Sequence, residues 1–274
     1  MPFQNRSENI KKIATTLYNN KIALKTKQST MVSCIPLCQC MGIGKTRITT
    51  DFLEILRSSG YKDKIKNESM SFDDSILIYI NCAEFRIPFI NDPSFFKSFW
   101  IFMLGNILNI LNISFSEEKL YNWVLKSILS VQGFLNILQN MFILDSKTET
   151  KSFFKHIKSD ETNENEISND LNKIMDFVQN KTKTGKCKYI IFGFDEVATL
   201  AERKFFSKAE QDEIDLILKK PDDNEYSQKI ALYYYLWREY FNLLQREFTD
   251  IILAGRNSYI PFIGKSINQI ELFC

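Results

Sequence analysis

The stretch CQCMGIGKT, residues 38–46, decides how the rest of the sequence is interpreted. Its last three residues, Gly44, Lys45 and Thr46, match the end of the pattern G-x-x-x-x-G-K-[ST]. Gln39 stands where that pattern has its first glycine. The flanking segments must therefore show whether the match has structural meaning.

A strand is predicted before this stretch and a helix after it. The run MVSCIPLCQ predicts a buried strand from Met31 to about Cys38, although Pro36 cannot donate a hydrogen bond to a neighbouring strand. In TRITTDFLEILRSSG, the apolar residues have helical spacing and Gly60 is a suitable end. Strand, glycine-containing loop and helix follow each other in the order that a phosphate-binding loop requires.

Such a loop binds phosphates through inward-pointing backbone N–H groups and the positive end of the following helix. Its lysine contacts the β- and γ-phosphates, and its threonine hydroxyl binds Mg²⁺. In the usual pattern, the first glycine mainly eases the turn out of the strand. Gln39 can replace that glycine if the backbone angles of Gln39 stay in an allowed region. The candidate nucleotide-binding residues are Gly42, Ile43, Gly44, Lys45, Thr46 and Arg47, and Thr46 is also a candidate metal ligand.

The remaining chain predicts more strands and helices in alternation. Further predicted strands are Ser75–Asn81, Lys188–Glu196, Asp250–Gly255 and Ile267–Phe273. Predicted helices cover residues 8–20, 166–179 and 227–248, by their apolar spacing. This alternation predicts an α/β fold with a central parallel sheet covered by helices on both faces, in three layers.

The connection between the second and third strands, residues 82–187, is much longer than a crossover needs. We therefore expect one domain over residues 1–274, with a helical insertion at about 93–165. Within it, the polar run SDETNENE, residues 159–166, predicts a loop.

A pair of acidic residues ends the third predicted strand, in IIFGFDE. Nucleotide hydrolysis requires one acid near Mg²⁺ and another group that orients or activates the attacking water. Asp195 fits the first role and Glu196 the second. Two acids after a strand often form only a solvated turn, but their position downstream of the loop favours the functional interpretation.

Composition excludes some classes of function. The net charge of +2 indicates no general attraction to nucleic acid or to an anionic membrane. The six cysteines show no C-x-x-C pairs and no signal peptide is visible, so reduced cysteines and an intracellular location are expected. The apolar stretch Phe95–Phe115 contains Lys97 and several asparagines, which favours a buried helix over a membrane span.

The motifs MGIGKT, FDE and AGR, taken together, resemble the additional-strand class of P-loop ATPases, which includes AAA+ and STAND proteins. They are also similar to the ATPase regions of Crinkler-type and retrotransposon-hot-spot-type proteins. The resemblance implies ATP and Mg²⁺ as ligands. It further implies that Arg256, after the fourth strand, reads the γ-phosphate and that Asn81 restrains Glu196. NKTK at residues 180–183 lacks the aspartate of the guanine-reading N-K-x-D motif, which disfavours GTP.

Members of this class normally continue into a helical lid, and none is predicted before Cys274. Either the chain is a partial product or a partner supplies that part of the site. We expect Mg²⁺-dependent ATP hydrolysis that drives a switch or remodelling step. The alternative is a nucleotide-binding interaction protein with little hydrolysis, which meets a protein partner through the helical insertion. Oligomer formation is open, and a nucleic-acid kinase or helicase fragment is disfavoured because no basic stripe interleaved with aromatics is present.

Overall fold

The chain forms two compact units, one of residues 1–84 with 189–274 and one of residues 85–188. We call them the sheet unit and the helical unit. The predicted insertion at 93–165 lies within the helical unit, which extends beyond it on both sides. The computed structural model describes residues 7–26, 35–38, 44–58, 71–87, 95–127, 131–143, 147–217 and 225–255.

The sheet unit is built around parallel strands. These are β1 Pro36–Cys38, β2 Ser75–Asn81, β3 Tyr189–Asp195 and β4 Thr249–Gly255. All pair in parallel, in the order β1-β4-β3-β2. The predicted α/β class and the parallel sheet are therefore confirmed.

Helices make up most of the remaining described residues. Before the third strand they are α1 Ser7–Thr26, α2 Lys45–Arg57, α3 Phe95–Ile110, α4 Glu117–Ser127, α5 Val131–Leu138, α6 Lys147–Ile157 and α7 Glu164–Lys181. A π-helical turn, Gln139–Ile143, continues α5. After the third strand follow α8 Lys208–Ile217, α9 Glu225–Leu236 with a π-helical turn at Trp237–Phe241, and the short α10 Asn242–Leu244.

Burial follows strand position. Every residue of β3 and β4 is buried, as expected for inner strands of a parallel sheet. Residues of β2, which has a described neighbour on one side only, alternate between buried and partly exposed over its second half. On one face, α1 and α2 pack against strand residues that include Ile191 and Ile252. On the other, the Phe241 ring lies 5.0 Å from the Phe194 ring.

The first strand is shorter than its predicted span. Ile35 lies just before it, and residues 31–34 are outside the described part of the chain. Pro36 is the first residue of β1, a position where the missing N–H is tolerated. The fifth predicted strand, 267–273, also lies outside the described residues.

The prediction of a loop over residues 159–166 is wrong for its last part. Helix α7 begins at Glu164, and the side chain of Asn163 accepts a hydrogen bond from the Glu166 backbone N–H at 3.1 Å. Asparagine is among the preferred residues at this capping position. The polar composition marked a helix start as well as a loop.

The helical unit contains a buried ion pair. Lys158 Nζ lies 2.5 Å from Asp170 Oδ2, and both side chains are buried. Lys158 also donates to Ser114 Oγ at 3.2 Å, and Lys173 Nζ lies 2.9 Å from Asp170 Oδ1. These contacts connect Lys158, which directly follows α6, to helix α7. Because they lie inside the helical unit, we assign them a structural role.

The predicted buried helix at the start of the helical unit is confirmed. Trp100 and Phe99 of α3 are fully buried, and the Trp100 ring lies 4.6 Å from that of Phe134. Throughout the described part of the chain, no helix combines the length and apolarity needed to cross a bilayer.

A buried carboxylate lies near the start of β4. Asp250 accepts hydrogen bonds from Asn20 Nδ2 at 2.8 Å, Gln245 Nε2 at 2.7 Å, the Tyr189 hydroxyl at 3.2 Å and the Ile251 backbone N–H at 2.8 Å. Burial raises the pKa of Asp250 to about 6, and the four hydrogen bonds oppose this shift. The network links α1 to the amino ends of β3 and β4.

Candidate functional site

The four strands end at one edge of the sheet, which we call the carboxyl edge. Cys38 pairs with Gly255, and Asn81 pairs with Asp195. The β3–β4 register places Phe194 beside Leu253, so all four ends lie within about two residues of one level. In open parallel sheets, ligands bind outside this edge.

The first turn of α2 lies at the carboxyl edge. Gly44 precedes it with φ 80° and ψ 29°, a left-handed conformation that favours glycine, and its carbonyl accepts from Ile48 N–H at 3.1 Å. The first turn contains no acidic residue and carries two cations, Lys45 and Arg47. The helix dipole favours anions at this end, so this arrangement suits a bound anion.

A hydrogen bond joins α2 to the end of β3. The Thr46 hydroxyl donates to Asp195 Oδ2 at 2.6 Å, across 149 residues of sequence. Asp195 is 3% exposed, and its Oδ1 accepts from the Glu196 backbone N–H at 2.9 Å. The hydroxyl and the carboxylate predicted to bind one metal ion are therefore in direct contact.

The close approach of α2 to β3 depends on Gly193. A Cβ atom on Gly193 would lie 2.4 Å from the Thr49 carbonyl oxygen and 3.1 Å from Thr49 Cα. Only glycine fits there without displacement of the helix or strand. Because Thr49 is one turn after Thr46, this packing also sets the distance between Thr46 and Asp195.

Glu196 leaves the strand in a strained conformation. Its φ of 52° and ψ of 38° are left-handed, which costs about 1 kcal/mol for a non-glycine residue. The carbonyl of Glu196 accepts from the hydroxyl of Thr199 at 2.8 Å and from its N–H at 2.9 Å, which fixes the turn. Such residues cluster at functional sites.

Two residues near the end of β2 lie close to these acids. The Tyr79 hydroxyl lies 3.5 Å from Asp195 Oδ2, and burial together with the negative charges of Asp195 and Glu84 raises its pKa to about 12. Cys82 is buried, and burial raises the pKa of its thiol well above the usual value, helped by the charges of Asp195 and Glu196. Both groups therefore stay protonated at neutral pH.

Asn81 is placed beside Asp195 by the strand register. Its amide nitrogen donates to Glu84 Oε1 at 2.9 Å, and its Oδ1 accepts from the Ala83 N–H at 3.2 Å. These contacts hold the Asn81 side chain in the turn after β2. Its predicted role toward Glu196 stays a prediction.

The predicted site residues in the described part of the chain all lie at the carboxyl edge: Gly44 just before α2, Lys45, Thr46 and Arg47 on α2, Asn81 on β2, and Asp195 and Glu196 at the end of β3. Arg47 Nε lies 3.7 Å from Asp51 Oδ2 on the exposed side of α2. Gly42, Ile43 and Arg256 are outside the described residues.

Sequence reasoning missed Tyr79 and Gly193. A glycine inside the apolar run YIIFGFD was a usable signal, because glycine weakens a strand and often marks close backbone approach. Tyr79 gave no such signal, since its role depends on the register between β2 and β3.

The donors at the carboxyl edge suit Mg²⁺ better than a transition metal. In the described residues, no three His, Cys, Asp or Glu side chains form a cluster able to hold a metal by themselves. Mg²⁺ usually binds through one or two carboxylates together with substrate phosphates and water. A hydroxyl and a carboxylate in contact beside a helix N-terminus fit such a shared site.

Comparison with protein-family models, curated proteins and solved structures finds no match. The functional interpretation therefore rests on the geometry of the carboxyl edge.

Proposed function

We propose that this protein binds ATP at the carboxyl edge of its sheet and hydrolyses it with Mg²⁺, as a P-loop nucleoside-triphosphatase. The contact between the Thr46 hydroxyl and Asp195 Oδ2 carries the proposal. It joins the last residue of the MGIGKT motif to the first acid of the FDE motif, as the chemistry of the two motifs requires.

The phosphate side of the site would be the loop before α2. Gly44 provides the left-handed turn into the helix, and Lys45 begins the helix with its side chain largely buried. A buried ammonium group at a positive helix end suits a strong anion such as a triphosphate. Gly42 and Ile43 would add backbone N–H groups, and Arg47 would contact the nucleotide.

The acidic side of the site would hold the metal and the water. Thr46 and Asp195 would bind Mg²⁺, directly or through water, and a bound Mg²⁺ ion would neutralise charge on the phosphates. Glu196 would orient and polarise the attacking water, and its strained backbone is consistent with a residue held for function. Arg256, which follows β4, would read the γ-phosphate.

The strand order supports membership of the additional-strand class. One strand, β4, lies between the strand that leads into the loop and the strand that ends in the acids. In the described residues, helices cover both faces of the sheet, in keeping with the three-layer arrangement.

The alternative function, a nucleotide-binding interaction protein, would be favoured by exposed apolar surface on the helical unit. Of the large hydrophobic residues between Phe95 and Phe142 that the structure describes, Ile110 is exposed, at 39%. This observation favours the enzyme. An intracellular location is part of the main proposal, whereas a protein partner bound through the helical insertion belongs to the alternative function.

Variants of the loop and of the acid test the proposal. ATP binding is measured by isothermal titration calorimetry, and turnover by phosphate release, for the wild type, Lys45→Ala and Glu196→Gln. Matched controls are Lys11→Ala and Glu118→Gln, which remove exposed charges on α1 and α4.

Lys45→Ala should lose most ATP binding, whereas Glu196→Gln should bind ATP and lose about 10²-fold or more of its turnover. Both controls should behave as the wild type. Absence of ATP binding by the wild type would refute the proposal. ATP binding with equal, negligible turnover in wild type and Glu196→Gln would refute hydrolysis and favour the alternative function.

A further inference from the structure

Tyr79 belongs to the face of the sheet on which α2 packs. It pairs in register with Gly193, and parallel neighbours in register share a face. Since Gly193 has no side chain and the Thr49 carbonyl approaches it directly, the space beside Tyr79 is filled by α2. The Tyr79 hydroxyl lies 3.5 Å from Asp195 Oδ2, the same oxygen that accepts from Thr46 in the first turn of α2.

The Asp195 carboxylate has donors from three directions. Its Oδ1 accepts from the Glu196 N–H, while its Oδ2 accepts from the Thr46 hydroxyl at 2.6 Å and faces the Tyr79 hydroxyl at 3.5 Å. A carboxylate has about four lone-pair directions, so these donors leave roughly one of them for other ligands. Together they fix the plane of the carboxylate.

We propose that Tyr79 is a positioning residue for Mg²⁺ binding, which it supports by holding the Asp195 carboxylate in the orientation that accepts the metal. This inference rests on the proposed function. Carboxylates that bind metals are themselves held by hydrogen bonds, and loss of such a partner typically lowers metal affinity by about 10–100-fold. Without the Tyr79 hydroxyl, Oδ2 would be held by Thr46 alone.

The variant Tyr79→Phe removes one oxygen atom and keeps the ring. ATP affinity is measured by calorimetry, first with excess EDTA and then over a Mg²⁺ titration. In EDTA, we expect Tyr79→Phe to bind ATP with the same affinity as the wild type. In the titration, we measure the Mg²⁺ concentration at which half of the Mg²⁺-dependent gain in ATP affinity is reached, and we expect this concentration to be about 10-fold higher for Tyr79→Phe. Tyr18→Phe, a partly buried tyrosine of α1 outside the site, should change neither quantity.

Three results would overturn the inference, and they are distinguishable. If Tyr79→Phe requires the same Mg²⁺ concentration as the wild type, Tyr79 has no positioning role, although the proposed function stands. If it loses affinity equally with and without Mg²⁺, its role is general packing. If the wild type binds no ATP, the proposed function fails and this inference fails with it.

Discussion

Replacing Gly193 by alanine tests how closely α2 must approach β3. The added Cβ would lie 2.4 Å from the Thr49 carbonyl oxygen, whereas ordinary van der Waals contact begins at 3.4 Å. The clash is between a Cβ atom, whose position the β3 backbone fixes, and backbone atoms of Thr49, so no side-chain rotation relieves it. Either α2 or β3 must therefore move by about 1 Å.

The size of the effect follows from this displacement. Overpacking of this kind lowers the free energy of unfolding by about 1–3 kcal/mol. Alanine is less flexible than glycine in the unfolded chain, and this difference offsets about 0.5 kcal/mol of that loss. We expect a net loss of about 1.5 kcal/mol and a melting temperature lower by roughly 3–6 °C. A helix displaced by about 1 Å would also lengthen the bond between Thr46 and Asp195 from 2.6 Å to a distance outside hydrogen-bond range.

The assay is urea unfolding followed by circular dichroism, together with the Mg²⁺-dependent ATP affinity. Gly105→Ala is a matched control, because an added Cβ there would meet the Phe115 ring at 3.6 Å, an ordinary contact. Within helix α3, that substitution should stabilise by up to about 1 kcal/mol.

If Gly193→Ala unfolds at the same urea concentration as the wild type, the close approach does not constrain the fold. If it is destabilised but keeps the full Mg²⁺-dependent affinity, the packing at Gly193 does not set the distance between Thr46 and Asp195.

Three further predictions concern stability. Burial raises the folded-state pKa of Asp250 from 3.8 to about 6, so between these values the folded protein binds more protons than the unfolded chain and becomes less stable as pH rises. The free energy of unfolding should fall by roughly 2 kcal/mol from pH 4 to pH 6 through this group, and urea unfolding should show that component in the wild type and not in Asp250→Asn. Asn163→Ala should lower the free energy of unfolding by about 1 kcal/mol, while Asn163→Asp should retain the cap, as thermal unfolding would show. Asp170→Asn leaves the buried Lys158 ammonium without its carboxylate and should lower the free energy of unfolding by about 3–5 kcal/mol. A decrease below about 1 kcal/mol in urea unfolding would contradict a structural role for this ion pair.

The fold class could be predicted because strand and helix periodicities are local properties of the chain. The apolar runs within Ser75–Asn81 and before Asp195 predicted strands, and both strands form over nearly the predicted residues. The start of α2 at Lys45 could also be predicted from local sequence. The glycine, the lysine and the first apolar residues of the helix all lie within one or two turns of each other.

The finer parts of the candidate site depend on distant pairings that one sequence does not determine. Tyr79 faces Asp195 only because β2 and β3 pair in a particular register. The end of β3 was predicted at Glu196, but that residue turns into a left-handed conformation, which its residue type does not favour. Asn163 could have been recognised as a cap, although its polar neighbours suggested a loop.

The position of β4 has a consequence for how the protein is made. Among the described strands, β1 is joined to β3 only through β4, which is the last of them in chain order. Because synthesis proceeds from the N-terminus, the growing chain contains both halves of the candidate site before it contains the strand that aligns them. The inner strand must then insert between two partners that are distant in sequence, and such non-local pairing is slow. We expect the contact between Thr46 and Asp195 to form late during synthesis, after residue 255 has left the ribosome.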